Sequence, residues 1–152
     1  MKPRRLRFNS FDAAIDEIDR LHACGCECLG TWDLAKTCDH LTVTMRMSLD
    51  GFPPDTRPFW PLRVLGPTLV KWTVLGLGRM PRGVPLPHPA LGVTDPRAEQ
   101  TAISHCVATL REVAEAQQFK RNPVMGNLSP KQWRRFHLVH TAHHLGLLIP
   151  RG

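Results

Sequence analysis

The chain has no apolar stretch of transmembrane length that is free of charge. Its basic first residues, Met1–Arg7, are followed by an amphipathic pattern and not by the apolar region of a secretory signal peptide. It also lacks internal repeats and low-complexity tracts. We therefore expect a cytoplasmic protein that has no membrane partner.

An even set of cysteines is lacking: because the count of five is odd, the thiols cannot all pair within one chain. A chain of 152 residues with 42% hydrophobic content can bury a core without disulfides. We expect reduced thiols and one compact helical domain over residues 1–152. Cys24, Cys26 and Cys28 are spaced too tightly for a structural zinc site, so they are interpreted as loop residues. Cys38 and Cys106 lie on apolar stripes and are predicted core side chains.

Acidic residues are outnumbered, with 13 Asp and Glu against 20 Lys and Arg, which gives a formal net charge of +7. A basic protein can bind nucleic acid because clustered cations displace the counterions of phosphates. Here the cations are scattered, and no aromatic platform lies between them. The sequence therefore predicts a solvated basic surface and no nucleic-acid partner.

Four helices are predicted from end signals and apolar periodicity. They run from Ser10 to His22, from a cap at Thr31 to Gly51, from Asp95-Pro96 to about Gln118, and from Ser129-Pro130 to Pro150. About forty proline-rich residues separate the second helix from the third. A connection of this length is typical of the crossover in a four-helix bundle.

An extra helix is predicted inside the crossover, where Leu62 to Gly78 is mostly apolar. We interpret it as a packing element or the interface of a homodimer. A membrane-surface helix is the less favoured alternative, because Arg63 and Lys71 alone make a poor polar face.

Four histidines fall in the last predicted helix, and two of them, His140 and His144, are one turn apart. Residues at this spacing share a helix face with about 5 to 6 Å between their Cβ atoms, so both imidazoles can reach one ion. His40, on a flank of the second helix, is the best candidate for a third ligand. Spacing alone leaves open whether these are metal ligands or hydrogen-bonded core histidines.

Other polar residues are candidates for a role beside such an ion. Asp33 precedes His40 by two turns and is a candidate general base, while His143 and His137 lie at the edges of the ligand face and can shuttle protons at the rim. A surface cap or a solvated side chain is the alternative interpretation of each. His105 lies opposite the apolar stripe of the third helix and is expected to be exposed.

Two motifs resemble the DinB-like superfamily. Trp32 to Leu41 is similar to its second helix, which a tryptophan begins and in which a histidine in an HL pair is a ligand. His140-Thr141-Ala142-His143-His144 is similar to its fourth-helix pattern, H-x-x-H-H. The whole chain, including Gly126-Asn127-Leu128-Ser129 before the last helix, resembles a branch of unknown function.

The resemblance implies an all-α four-helix bundle with a long crossover and a divalent ion, zinc or nickel, bound by His40, His140 and His144. It also implies a small-molecule substrate, because better-understood relatives are transferases or isomerases that use a low-molecular-weight thiol. Many relatives continue with Arg-Gly-Gln where this chain has Leu145-Gly146-Leu147. A metal-dependent thiol transferase or hydrolase is the leading hypothesis, beside a noncatalytic metal- or ligand-binding bundle and a basic interaction protein.

Overall fold

The structure is a computed structural model that describes residues 2–81, Pro89 and residues 98–151. This part of the chain is mostly helical, as predicted, with one small sheet. In chain order the elements are helix α1 (Phe11–Cys24), strand β1 (Cys26–Cys28), helices α2 (Leu34–Asp50), α3 (Trp60–Leu65), α4 (Glu99–Glu115) and α5 (Pro130–Leu145), and strand β2 (Leu148–Pro150). None of the helices formed by the described residues is both long and apolar enough to cross a membrane.

Four longer helices supply the main core. α2 packs most extensively against α4, α1 contacts α4 and α5, and α2 also contacts α5. The predicted apolar stripes face inward, and Cys38 and Cys106 are fully buried, as expected. A second apolar cluster forms around Trp133 at the start of α5. The α2–α5 contact matters most for the site, because these two helices carry the clustered histidines.

The second helix begins later than predicted. Its N-cap is Asp33 and not Thr31, since an oxygen of the Asp33 carboxylate accepts a hydrogen bond from the backbone N–H of Lys36 at 2.8 Å. A carboxylate at this position satisfies an otherwise unpaired N–H and is favoured by the helix dipole. Trp32 therefore lies before α2 and outside its hydrogen-bonded turns.

The third predicted helix corresponds to α4. Its predicted cap, Asp95-Pro96, lies outside the described residues; the described helix starts at Glu99. It ends at Glu115, before the predicted Gln118, because Ala116 adopts an extended backbone. The guanidinium of Arg134 donates to the carbonyl of Ala116 at 2.8 Å and so satisfies one of the unpaired groups at this helix end.

The last helix ends at Leu145, and the prediction that it continues to Pro150 is wrong. β2 instead pairs antiparallel with β1, with Cys28 opposite Leu148. The side chain of Arg4 donates to the carbonyls of Leu145 and Leu148 at 3.0 and 2.9 Å. Backbone groups that a longer helix would pair internally are therefore satisfied by the sheet and by Arg4.

The helix predicted in the crossover is present, but part of it is π-helical and not α-helical. α3 continues into two π-helical turns, Gly66–Val70 and Trp72–Gly76. Pro67 has no N–H to give to an α-helical bond, and the N–H of Lys71 reaches back five residues to the carbonyl of Gly66. A Cβ at position 66 would lie 2.2 Å from the carbonyl oxygen of Val124, so this close approach requires glycine.

Ser129→Ala is expected to lower the free energy of unfolding by about 1 kcal/mol. Ser129 and Gln132 form a reciprocal capping box at the start of α5, with bonds of 3.3 and 3.0 Å. Urea denaturation measures the loss, with Ser104→Ala in the exposed middle of α4 as the control. Equal losses in the two variants would contradict a specific capping contribution.

Candidate metal site

Three histidine rings from two helices converge at one point. The Nε2 atom of His140 on α5 lies 3.3 Å from Nε2 of His40 on α2 and 3.0 Å from Nε2 of His144, one turn further along α5. The ligand-capable atoms of all three residues lie within 4.8 Å of one another. His40 and His140 are buried and His144 is partly buried, so the predicted third candidate and the predicted pair do meet in the interior.

Linear hydrogen bonds among the rings cannot account for both contacts of this geometry. In a neutral imidazole each ring nitrogen carries either one hydrogen or one lone pair. The Nε2 atom of His140 faces two other Nε2 atoms. It can form one linear hydrogen bond, and the second contact is then a bent, shared one. A cation between the rings would accept all three lone pairs, and imidazole nitrogen is a common ligand of zinc and nickel.

His140 and His144 are held in the neutral form that a metal requires. Burial lowers the pKa of His144 to about 3, and the nearby His40 and His143 act in the same direction. Burial, followed by the neighbouring histidines, also holds the pKa of His140 well below its usual value. Their lone pairs therefore remain available at neutral pH, and binding an ion would not first require the loss of a proton from either ring.

Aromatic side chains form two walls of the site. Trp32 stacks on the ring of His144, with the planes 9° apart and the centroids 5.6 Å apart, and it also contacts His40 at 4.8 Å. Phe136 stacks on His140 at 5.5 Å. Sequence reasoning assigned Trp32 no role in the site. The signal that could have found it is its position immediately before the capping residue of α2.

Lys36 is a second site residue that sequence reasoning missed. It lies one helical turn before His40 on α2, and its Nζ is 5.7 Å from the centroid of the Trp32 ring. The cation is thereby held against the aromatic wall of the site. The signal available in the sequence was the four-residue spacing between Lys36 and His40.

Two of the three candidates for proton transfer, Asp33 and His143, occupy different positions. Asp33 is the exposed cap of α2, and the group of metal-compatible side chains found among the described residues does not include it. His143 is partly buried and meets His144 edge to face at 5.1 Å. The structure therefore brings His143 against a ring of the cluster, whereas the Asp33 carboxylate binds the backbone of its own helix.

His137 lies in the core and not at the rim of the site, contrary to the sequence-based expectation. It is 1% exposed and stacks against Trp133 at 5.4 Å. The Ser48 hydroxyl donates to the carbonyl of Met45, so the Nε2–H of His137 donates to the Ser48 oxygen at 2.9 Å. Its Nδ1 is buried and has no partner among the described residues. This bond ties α5 to α2 beside the cluster.

The cysteine-rich segment forms no comparable group. In the part of the chain that the structure describes, the three-residue cluster of potential ligands is the histidine cluster, and it includes no thiol. Burial raises the pKa of the Cys26 thiol to about 11 and also raises that of Cys28. Thiols held protonated are poor nucleophiles and poor metal ligands at neutral pH. The three cysteines predicted in a loop lie instead at the end of α1, which includes Cys24, and in strand β1, although Cys24 and Cys28 are exposed.

Comparison with known proteins gives one family. Neither the curated proteins nor the solved structures contain a match to this chain. Residues 1–151 match a family described as "Protein of unknown function (DUF1569)". Because the match covers nearly the whole sequence, the chain belongs to the DUF1569 family.

Proposed function

We propose that this protein is a DinB-like four-helix bundle with a long crossover, and that it binds one divalent ion, zinc or nickel, through His40, His140 and His144. The observation that carries the proposal is the spacing of the Nε2 atoms, 3.3 and 3.0 Å. Nitrogen ligands at tetrahedral positions around a zinc ion, with bonds of 2.0 to 2.1 Å, lie about 3.3 Å apart. Two of the three spacings therefore match the ion already, and the third pair of ligand atoms, which lies within 4.8 Å, would shorten on binding.

The arrangement of the three histidines fits a catalytic metal site better than a structural one. Among the described residues the cluster contains three potential ligands and no fourth. Structural zinc sites fill four positions with protein ligands, whereas catalytic sites keep one position for water or substrate. When bound, the ion would lower the pKa of a water or thiol at that position. The cluster thus supports a metal-dependent enzyme.

The surrounding side chains have separate parts in this proposal. Trp32 and Phe136 exclude water from two sides of the rings, which strengthens charge interactions within the site. His143, at the edge of His144, is positioned to take up or release a proton. Asp33 holds the start of α2 and so the position of Trp32. We assign it positioning rather than proton transfer.

The proposed reaction is a thiol-dependent transfer or a hydrolysis of a small molecule. Leu145 replaces an arginine that many DinB-like proteins carry, and it is fully buried in the core. Any anionic group of a substrate must therefore meet another cation, and Lys36 is the cation next to the aromatic wall. A noncatalytic metal-binding bundle is the alternative, favoured by the depth at which His40 and His140 lie.

Metal analysis of protein purified without a histidine tag tests the proposal. We expect about one zinc or nickel ion per chain after dialysis against trace metal, since three converging imidazoles form a single site. A protein that retains neither ion and gains no stability from either would overturn the proposal.

Lys36→Met is expected to weaken the binding of an anionic thiol about fivefold, the effect of losing a partly exposed ion pair. Mercaptoacetate and mercaptoethanol differ in the carboxylate, and their binding to the Co²⁺-loaded protein can be followed by the sulfur-to-cobalt absorption band. The variant should weaken mercaptoacetate and leave mercaptoethanol unchanged. Lys131→Met, at the exposed start of α5, is the matched control. Equal weakening of both thiols by Lys36→Met would show that the side chain acts on the fold and not on the anion.

A further inference from the structure

The insert between α2 and α4 exposes an apolar surface that neither the core nor the histidine site uses. All the large hydrophobic side chains that are exposed among the described residues lie in it. Trp60 is 70% exposed and Trp72 is 60% exposed. We call this surface the insert face, and it consists of Phe59, Trp60, Val64, Leu65, Leu69, Trp72 and Leu77.

The insert face has a fixed orientation relative to the rest of the protein. On the opposite side of the same helical turns, Gly66 and Val74 are buried. Val74 packs into the second apolar cluster with Met125 and Trp133. Since one side of the insert is anchored against α5 and its neighbours, the exposed aromatic and aliphatic side chains are directed away from the core.

The charged residues within the insert are all of one sign, although the exposed Asp55 lies just before it. Between Thr56 and Pro81 the chain carries Arg57, Arg63, Lys71 and Arg79 and no aspartate or glutamate. Symmetric pairing of two copies through this face would bring two basic sets together, and like charges oppose such contact. The insert combines exposed apolar side chains with positive charges. A partner that is apolar inside and negatively charged at its surface would complement both.

We propose that the insert face docks on the surface of an anionic membrane. Tryptophan side chains favour the boundary between water and lipid, and exposed apolar side chains gain by entering the acyl region. Each nearby arginine or lysine adds attraction to anionic headgroups. The sequence alone favoured a packing or dimer role because Arg63 and Lys71 make a poor polar face on one helix. Arg57 and Arg79 add one cation before and one after the helical turns of the insert.

Co-sedimentation with lipid vesicles tests the proposal on the full chain. Vesicles of phosphatidylcholine and phosphatidylserine in a ratio of about 3:1 should bind the protein at least about tenfold more strongly than vesicles of phosphatidylcholine alone, because several cations act together. Trp60→Ala with Trp72→Ala should weaken binding about tenfold or more. Both side chains are largely exposed, so circular dichroism and thermal unfolding should match the unaltered protein.

Two double variants show whether the cations of the insert, and not the overall positive charge of the protein, drive the binding. Arg57→Gln with Arg63→Gln should weaken binding to the anionic vesicles about tenfold, whereas Arg111→Gln with Lys131→Gln, exposed elsewhere, should change it less than twofold. Equal effects of the two pairs would overturn the proposal, as would equal binding to neutral and anionic vesicles. A stable dimer that the tryptophan variant converts to monomer, without vesicle binding, would assign the face to a second copy of the chain instead.

Discussion

His140→Ala is expected to lower the affinity of the protein for Zn²⁺ by about 100-fold or more, because even residues that only support a metal ligand contribute about 10- to 100-fold. The Nε2 of His140 lies between those of His40 and His144, at 3.3 and 3.0 Å. Its removal leaves two imidazoles on different helices, without the central nitrogen. Of the three single changes, this one therefore disrupts the proposed coordination most directly.

Competition with a chromogenic chelator measures the affinity, and metal analysis of untagged protein measures the content. His105→Ala removes an exposed histidine from α4 and should leave both values unchanged. His144→Ala repeats the test at a partly buried position, where the fold depends less on the side chain. Equal metal content in the His140 variant and the unaltered protein would refute the three-histidine site, provided that both proteins unfold at similar temperatures.

Helical geometry explains why half of the site could be predicted from sequence. At 100° per residue, His140 and His144 must share a face of any helix that contains both. The convergence of His40 depends on the contact between α2 and α5, a hundred positions apart in the chain. No local pattern contains that contact. The flank position of His40 on the second helix made it only the best candidate for a third ligand, and the family resemblance then implied the complete triad.

The wrong predictions have three sources: two residues that cap a helix equally well, a burial depth that periodicity does not reveal, and strands too short to show a pattern. Thr31 and Asp33 are both good helix caps, and the choice between them moved Trp32 from a helical turn to the wall of the site. Periodicity places His137 at the edge of a face but does not show that Trp133 and Ser48 enclose it. Three-residue strands have too few positions to reveal alternation, so the pairing of Cys28 with Leu148 was missed.

The metal-free protein is expected to lose several kcal/mol of stability between pH 7 and pH 5. Burial lowers the pKa of His137 to about 3, and burial, reinforced by neighbouring histidines, does the same for His144. In the unfolded chain a histidine has a pKa of about 6.5 and binds a proton over this range. The unfolded state therefore takes up more protons than the folded state, and stability falls as the pH falls below about 6.5.

Each such histidine contributes a loss of about 2 kcal/mol by pH 5, since one pKa unit corresponds to about 1.4 kcal/mol. His140 is shifted in the same direction and adds to the loss. Ordinary carboxylates remain ionised down to pH 5, so the interval isolates histidine. Urea denaturation at pH 7, 6 and 5, with and without Zn²⁺, measures the effect, and the zinc-bound protein should be more stable at each pH because the ion binds the folded state.

His137→Phe separates the contribution of His137 to the acid-induced loss of stability from the contributions of the histidines of the proposed metal site. The variant removes one buried titrating group, so the loss between pH 7 and pH 5 should shrink by about 2 kcal/mol, whatever its stability at pH 7. Ser48→Ala keeps the imidazole buried while removing its hydrogen-bond partner at 2.9 Å. It should retain the full acid loss, because desolvation and not that bond lowers the pKa of His137. An acid loss that shrank by about 2 kcal/mol in Ser48→Ala but stayed undiminished in His137→Phe would show that burial of this ring is not its source.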